Sequence, residues 1–141
     1  MTIRSPRPVL IVDASVVVAA LTGTGVHGSW ATRTLAGAHL TAPHLMPIEV
    51  ANVLRRAQIL AALSSDVATL AHADLLDLDV DLYPYEAVAD RVWGLRGTLT
   101  SYDASYVALA ERIGAPLATL DVRLARAPGP TFQFLTPPGS P

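Results

Sequence analysis

Short apolar runs alternate with longer helical patterns along almost the whole chain, and that alternation leaves few folds open. Val9-Leu10-Ile11-Val12 reads as a strand covered on both faces, followed by a helical stretch over residues 15–21. Residues 22–25 read as a loop, and residues 26–35 as a helix that turns Trp30 and Leu35 inward and ends at Gly37. His39-Leu40-Thr41-Ala42-Pro43 is a second strand, stopped by its proline. The longest helical stretch, residues 45–63, places Val50, Val53, Leu54, Ala57, Leu60 and Ala61 on a buried stripe. A further helix follows the Ser64-Ser65-Asp66 cap region and runs through Leu70 and Leu75, so the two should form a hairpin with an apolar groove.

Residues 77–83 alternate strictly and predict an edge strand with Asp77, Asp79 and Asp81 on its wet face. Pro84 suits the first turn of a helix through Val88, Val92, Trp93 and Leu95, closed by Gly97. Another helix begins near Thr100, with Asp103 in its first turn and Tyr102, Tyr106, Leu109, Ala110 and Ile113 as its apolar stripe. Residues 115–121 and 131–135 supply the last strands. The pattern predicts an α/β fold: a single three-layer α/β/α domain over residues 9–136 around a mostly parallel sheet of about five strands, with tails at 1–8 and 137–141.

Composition narrows the function classes. The 141 residues contain no Cys, which excludes disulfides and thiolate metal sites. All ten basic residues are Arg, so no catalytic or phosphate-binding lysine exists. A net charge of -2 argues against a broad electrostatic grip on nucleic acid while allowing a local Arg patch. No apolar run reaches the ~18 residues of a membrane span, and the Pro-rich start does not read as a signal peptide, so no membrane association and a cytoplasmic location are expected. His27, His39, His44 and His72 show no paired ligand spacing.

Four acids carry the chemistry. Asp13 directly ends the first strand and Asp121 ends a later one, at the edge of a parallel sheet where ligands bind. Asp103 opens the helix leading to that later strand, and Glu49 can reach the same edge from the long helix. Each has a plain reading in isolation: Asp13 and Asp121 as helix caps, Glu49 as a surface acid paired with Arg55 or Arg56, Asp103 as part of a capping box. Gathered together they repel; two carboxylates ~5 Å apart cost about 3 kcal/mol at an effective dielectric of about 20. Such a cluster binds a cation or raises the pKa of a member, and oxygen-only donors suit Mg²⁺ or Mn²⁺.

The runs around these acids are Ile11-Val12-Asp13-Ala14-Ser15, Pro47-Ile48-Glu49-Val50-Ala51-Asn52-Val53-Leu54, Ser101-Tyr102-Asp103-Ala104-Ser105-Tyr106-Val107-Ala108-Leu109-Ala110 and Ala118-Thr119-Leu120-Asp121-Val122-Arg123-Leu124. In this order they resemble the four acidic motifs of the PIN domain, and the chain length is similar to that of the VapC toxins of bacterial type II toxin–antitoxin pairs. The resemblance covers nearly everything except the two Pro-rich ends. It implies a PIN-like fold and an endoribonuclease dependent on one or two Mg²⁺ or Mn²⁺ ions, with Asp13, Glu49, Asp103 and Asp121 as catalytic and metal-binding residues. Ser15 and Thr119 match the accompanying hydroxyl positions. The implied partners are an RNA substrate, a cognate antitoxin seated in the helical groove, and a second copy of the chain. Arg55, Arg56, Arg96, Arg123 and Arg126 are candidates for steering the RNA backbone.

Two other readings stand beside this one. Asp13 could be the nucleophile of an aspartate-based phosphatase or phosphotransferase. Haloacid-dehalogenase-like enzymes carry a second acid two residues on, where this chain has Ser15, and commonly use a lysine that it lacks. A non-catalytic PIN-fold binding module would keep the fold without needing all four acids.

Overall fold

The computed structural model describes residues 6–23, 25–126 and 133–139. Five strands, β1 (Val9–Val12), β2 (His39–Pro43), β3 (Val80–Tyr83), β4 (Leu117–Ala118) and β5 (Phe134–Leu135), form one sheet in the order β3-β2-β1-β4-β5. Every neighbouring pair is parallel. The helices are α1 (Ala14–Thr22), α2 (Gly25–Ala36), α3 (Met46–Ile59), α4 (Ser65–Asp77), α5 (Ala89–Gly94), α6 (Ser101–Ile113) and α7 (Val122–Ala125). Among the described residues no helix is long and apolar enough to cross a membrane.

The strand order determines where a site can form. The chain steps from β1 outward to β2 and β3, then returns across the sheet to β4 and β5. Right-handed crossovers therefore put α1 to α4 on one face and α5 with α6 on the other. The packing agrees: α1 touches α2, α3 and α4, whereas α6 touches α5 and lies on β1, β2 and β4. The direction of travel reverses between β1 and β4, which opens a crevice beyond their carboxyl ends. Val12 pairs with Ala118 in register, and the Asp13 N–H donates to the Ala118 carbonyl at 3.2 Å. Asp13 and the residue after Ala118, Thr119, thus meet side by side at that crevice.

Ile11, Val12, Val16, Val17, Leu109 and Leu117 are fully buried where α1, α6 and the sheet meet. Burial of each such side chain contributes about 2 kcal/mol. Residues 104–110 of α6 are buried without a break, because the sheet covers one side and α5 another. At the far end of α1, Gly23 takes a left-handed φ of 65° as the C-cap, and a Cβ on the buried Gly28 would lie 2.8 Å from the Gly23 carbonyl carbon. This contact sets how closely the first turns of α2 approach α1.

The parallel sheet, the edge position of β3 and the caps at Asp13, Ser64, Thr100 and Asp121 match the sequence reading. Several details differ. The core stripe of α3 is Met46, Val50 and Leu54; Val53 and Leu60 are exposed, and Ala61 has left the helix at φ 59°. A stripe with a four-residue step reaches only one neighbouring layer, so the second expected row faces outward. Asp77 closes α4, and β3 begins only at Val80. The helix expected from Pro84 is split into a 3₁₀ turn, Tyr85–Ala87, and the short α5. Trp93 and Tyr102 are exposed, at 65% and 66%. β4 keeps two paired residues, and residues 131 and 132 of the expected last strand lie outside the described residues.

Candidate active site

All four acids stand at helix N-termini on the carboxyl edge of the sheet. Asp13 is the N-cap of α1, Glu49 lies in the first turn of α3, Asp103 in the first turn of α6, and Asp121 is the N-cap of α7. Unpaired N–H groups and the helix dipole favour negative charge at each of these points.

Asp13 is the fixed member. It is 7% exposed, and both carboxylate oxygens have partners. Its Oδ1 accepts from the Ser15 hydroxyl at 2.5 Å and the Val16 N–H at 3.2 Å. Its Oδ2 accepts from the Thr119 hydroxyl at 2.5 Å. The two hydroxyl oxygens accept in turn: Ser15 Oγ from the Leu120 N–H at 3.1 Å, and Thr119 Oγ1 from the Asp121 N–H at 2.9 Å. The start of α1 is thereby tied to the turn between β4 and α7. Burial pushes the Asp13 carboxyl above its usual range, and the hydroxyl and N–H donors oppose that shift. A carboxylate offers about four acceptor sites, so Oδ2 keeps one for a further partner.

Glu49 reaches the crevice half-buried, and its Oε1 accepts from the Tyr106 hydroxyl at 2.5 Å. Its pKa is raised first by burial and then by the charges of Asp13 and Asp103, against the lowering effect of Tyr106. The Tyr106 hydroxyl is raised far above the usual tyrosine range by burial and by Glu49, so it stays protonated and remains a donor. The sequence alternative that paired Glu49 with Arg55 or Arg56 is not what the structure holds: both arginines are exposed, and the tyrosine is the partner.

Asp103 and Asp121 complete the row. The Asp103 carboxyl is raised by burial and by the charge of Asp121, and lowered by Arg123. Asp121 Oδ1 accepts from the Leu124 N–H at 3.2 Å. Arg123 Nη2 lies 3.4 Å from Asp121 Oδ2 and 4.0 Å from Asp103 Oδ2. The charges are therefore linked in sequence, Asp13 to Glu49, Glu49 to Asp103, Asp103 to Asp121. Among the described residues no three acidic, histidine or cysteine side chains are already drawn together as a metal cage.

The other singled-out residues separate cleanly. Arg96 stacks on Trp93 at 4.6 Å and donates to its carbonyl at 2.8 Å. Arg123 and Arg126 line a groove of about 620 Å³ beside Asp103, shared with Thr98, Leu99, Thr100 and Val122. The four histidines are exposed, and His39 bonds Asp81 at 2.7 Å, joining β2 to β3. Tyr106 reads in the sequence as part of an apolar stripe, because its spacing fits one, and the structure makes it a polar participant. Its position three residues after Asp103, on the same helix face, is the signal that could have found it.

A profile of the PIN domain family matches residues 10–130. The chain is 41% identical over 120 residues to Ribonuclease VapC1 of Mycobacterium tuberculosis, covering 84% of this chain and 90% of that protein. It is 38% identical over 116 residues to Ribonuclease VapC9 of the same species, covering 82% and 88%. Among solved structures, the sarcin-ricin loop cleaving toxin VapC20 of Mycobacterium tuberculosis aligns at a TM-score of 0.64 and 17% identity, over 82% of this chain and 92% of that one. VapBC2 of Rickettsia felis, solved with a DNA fragment from its promoter, aligns at 0.64 and 10% identity, over 91% and 98%. At those identities the two structures establish a shared fold. The family profile and the sequence relatives go further, and by them this chain belongs to the PIN domain family, among the VapC ribonucleases.

Proposed function

We propose that this protein is an endoribonuclease that hydrolyses RNA phosphodiester bonds with Mg²⁺ or Mn²⁺ held by Asp13, Glu49, Asp103 and Asp121, and that it is the toxin of a toxin–antitoxin pair. The observation that carries the reading is the coupled row of acids at the switch point, anchored by a buried, fully oriented Asp13. The donor set fits a hard divalent cation: it is all carboxylate and hydroxyl oxygen, and repulsion from neighbouring acids adds to burial in raising the proton affinity of Glu49 and Asp103. A cation is also present beside two of the acids, in the form of the Arg123 guanidinium.

A divalent ion held there would make a water a better nucleophile at neutral pH and offset charge on the phosphoryl and leaving oxygens. The chain supplies the rest. Ser15, Thr119 and the α1 N-terminus orient Asp13, and Tyr106 orients Glu49. The phosphatase reading loses further ground because Ser15, at the place of the second acid, donates its hydroxyl to Asp13.

The antitoxin and a second copy of the chain are the proposed protein partners. Exposed Ile48, Val53, Ile59 and Leu60 near or on α3, with Val67 and Leu70 on α4, offer the apolar area such partners require. The test is thermal unfolding with Mn²⁺ or Mg²⁺, joined to cleavage of a structured RNA with and without EDTA. Either ion should raise the melting temperature, Asp103→Asn should remove most of that gain, and EDTA should abolish cleavage. A melting curve indifferent to both ions would overturn the metal site, and RNA left intact by metal-loaded protein would favour a non-catalytic module.

A further inference from the structure

We infer that Arg123 is a displaceable counter-ion: it occupies the Asp103–Asp121 pair in the metal-free protein and, once a divalent cation takes those carboxylates, turns into the adjoining groove to hold a phosphate of the RNA. This rests on the reading of the four acids as metal ligands. Three observations carry it. Arg123 Nη2 sits 3.4 Å from Asp121 Oδ2 and 4.0 Å from Asp103 Oδ2, between two acids assigned to the metal. Its side chain is 84% exposed, so a change of rotamer breaks no packing. The groove it already borders also contains Arg126, the Thr98 and Thr100 positions and the apolar Leu99 and Val122, and it opens directly beside Asp103.

The electrostatics give the direction. A guanidinium carries one positive charge, and a divalent ion on the same carboxylates carries two, so the ion wins the acids and repels the arginine. The released side chain stays within reach of the place where the substrate backbone must lie, and guanidinium geometry matches a phosphate through two donors. Arg123 is thus a positioning residue for substrate whose availability depends on metal.

The experiment is calorimetric titration of the full chain with Mn²⁺, for wild type, Arg123→Gln and Arg126→Gln, followed by cleavage kinetics on a hairpin RNA at saturating Mn²⁺. Arg123→Gln should tighten Mn²⁺ binding by about two- to fivefold, the scale of an exposed ion pair, while Arg126→Gln leaves it unchanged. In the cleavage assay Arg123→Gln should raise KM about fivefold with little change in kcat, and the salt dependence of KM should fall by about one phosphate contact. Wild-type protein that binds no Mn²⁺ overturns both this inference and the metal reading. Wild-type binding with an Arg123→Gln affinity that is equal or weaker overturns the inference alone. Tighter Mn²⁺ binding without a KM change overturns its second half, the substrate role.

Discussion

Tyr106 donates its hydroxyl proton to Glu49 over 2.5 Å, joining α6 on one face of the sheet to α3 on the other, 57 positions apart in sequence. The bond holds a half-buried carboxylate against the charges of Asp13 and Asp103, both of which push it toward protonation. Removing the donor leaves the ring's packing intact and isolates the hydrogen bond. Tyr106→Phe is expected to cost about 1 to 2 kcal/mol of stability at neutral pH, measured by urea unfolding. Glu49 then holds its proton to higher pH, so the pH midpoint of Mn²⁺ binding should move upward. An unmoved midpoint would remove Glu49 from the ligand set.

Thr119 serves two acids through one oxygen, donating to Asp13 Oδ2 and accepting from the Asp121 N–H. It is fully buried, so no water replaces it readily. Thr119→Val keeps the volume and removes both bonds. The expected cost is about 1 to 3 kcal/mol near pH 7, smaller near pH 4, where a protonated Asp13 needs fewer donors. Denaturant midpoints at the two pH values check this; an equal loss at both would place the effect in packing.

The carboxyls of Asp13, Glu49 and Asp103 all lie above their ordinary range in the folded protein, each chiefly through burial. A folded state that binds protons more tightly than the unfolded chain is favoured at low pH. This contribution is therefore full below about pH 4, the unfolded carboxylate value, and is lost as pH rises through the raised folded values. Metal-free protein should lose stability over that window, and Mn²⁺ should restore it at the upper end. Asp103→Asn should flatten the profile. Melting temperatures from pH 4 to 8, with and without Mn²⁺, measure the effect; metal-free stability that climbs across the window would contradict it.

Gly28 lies against Gly23, where an added Cβ would come within 2.8 Å of backbone carbon. Backbone cannot swing aside as a side chain can. Gly28→Ala is expected to cost about 1 to 3 kcal/mol, a fall of roughly 3 to 10 °C in melting temperature. The contact sits at the end of α1 opposite Asp13, so Mn²⁺ affinity should stay at the wild-type value. A calorimetric scan and a metal titration on one preparation separate the two effects.

The layering and the placement of the acids are legible in the sequence alone. Strand–helix alternation specified a parallel sheet, and local capping specified Asp13, Ser64, Thr100 and Asp121, because both depend on neighbours within a few residues. It placed Glu49 and Asp103 at the same edge by topology. It did not say which row of α3 is buried, since Val50 and Val53 both fit a helical period and only the facing layer distinguishes them. Nor could it reveal Tyr106 on Glu49 or Thr119 on Asp13: those bonds span 57 and 106 positions and exist only once the chain reverses at β1 and brings β4 alongside. Local pattern is written in nearest-neighbour chemistry, whereas the environment of each acid is set by which distant segments the crossovers lay beside it.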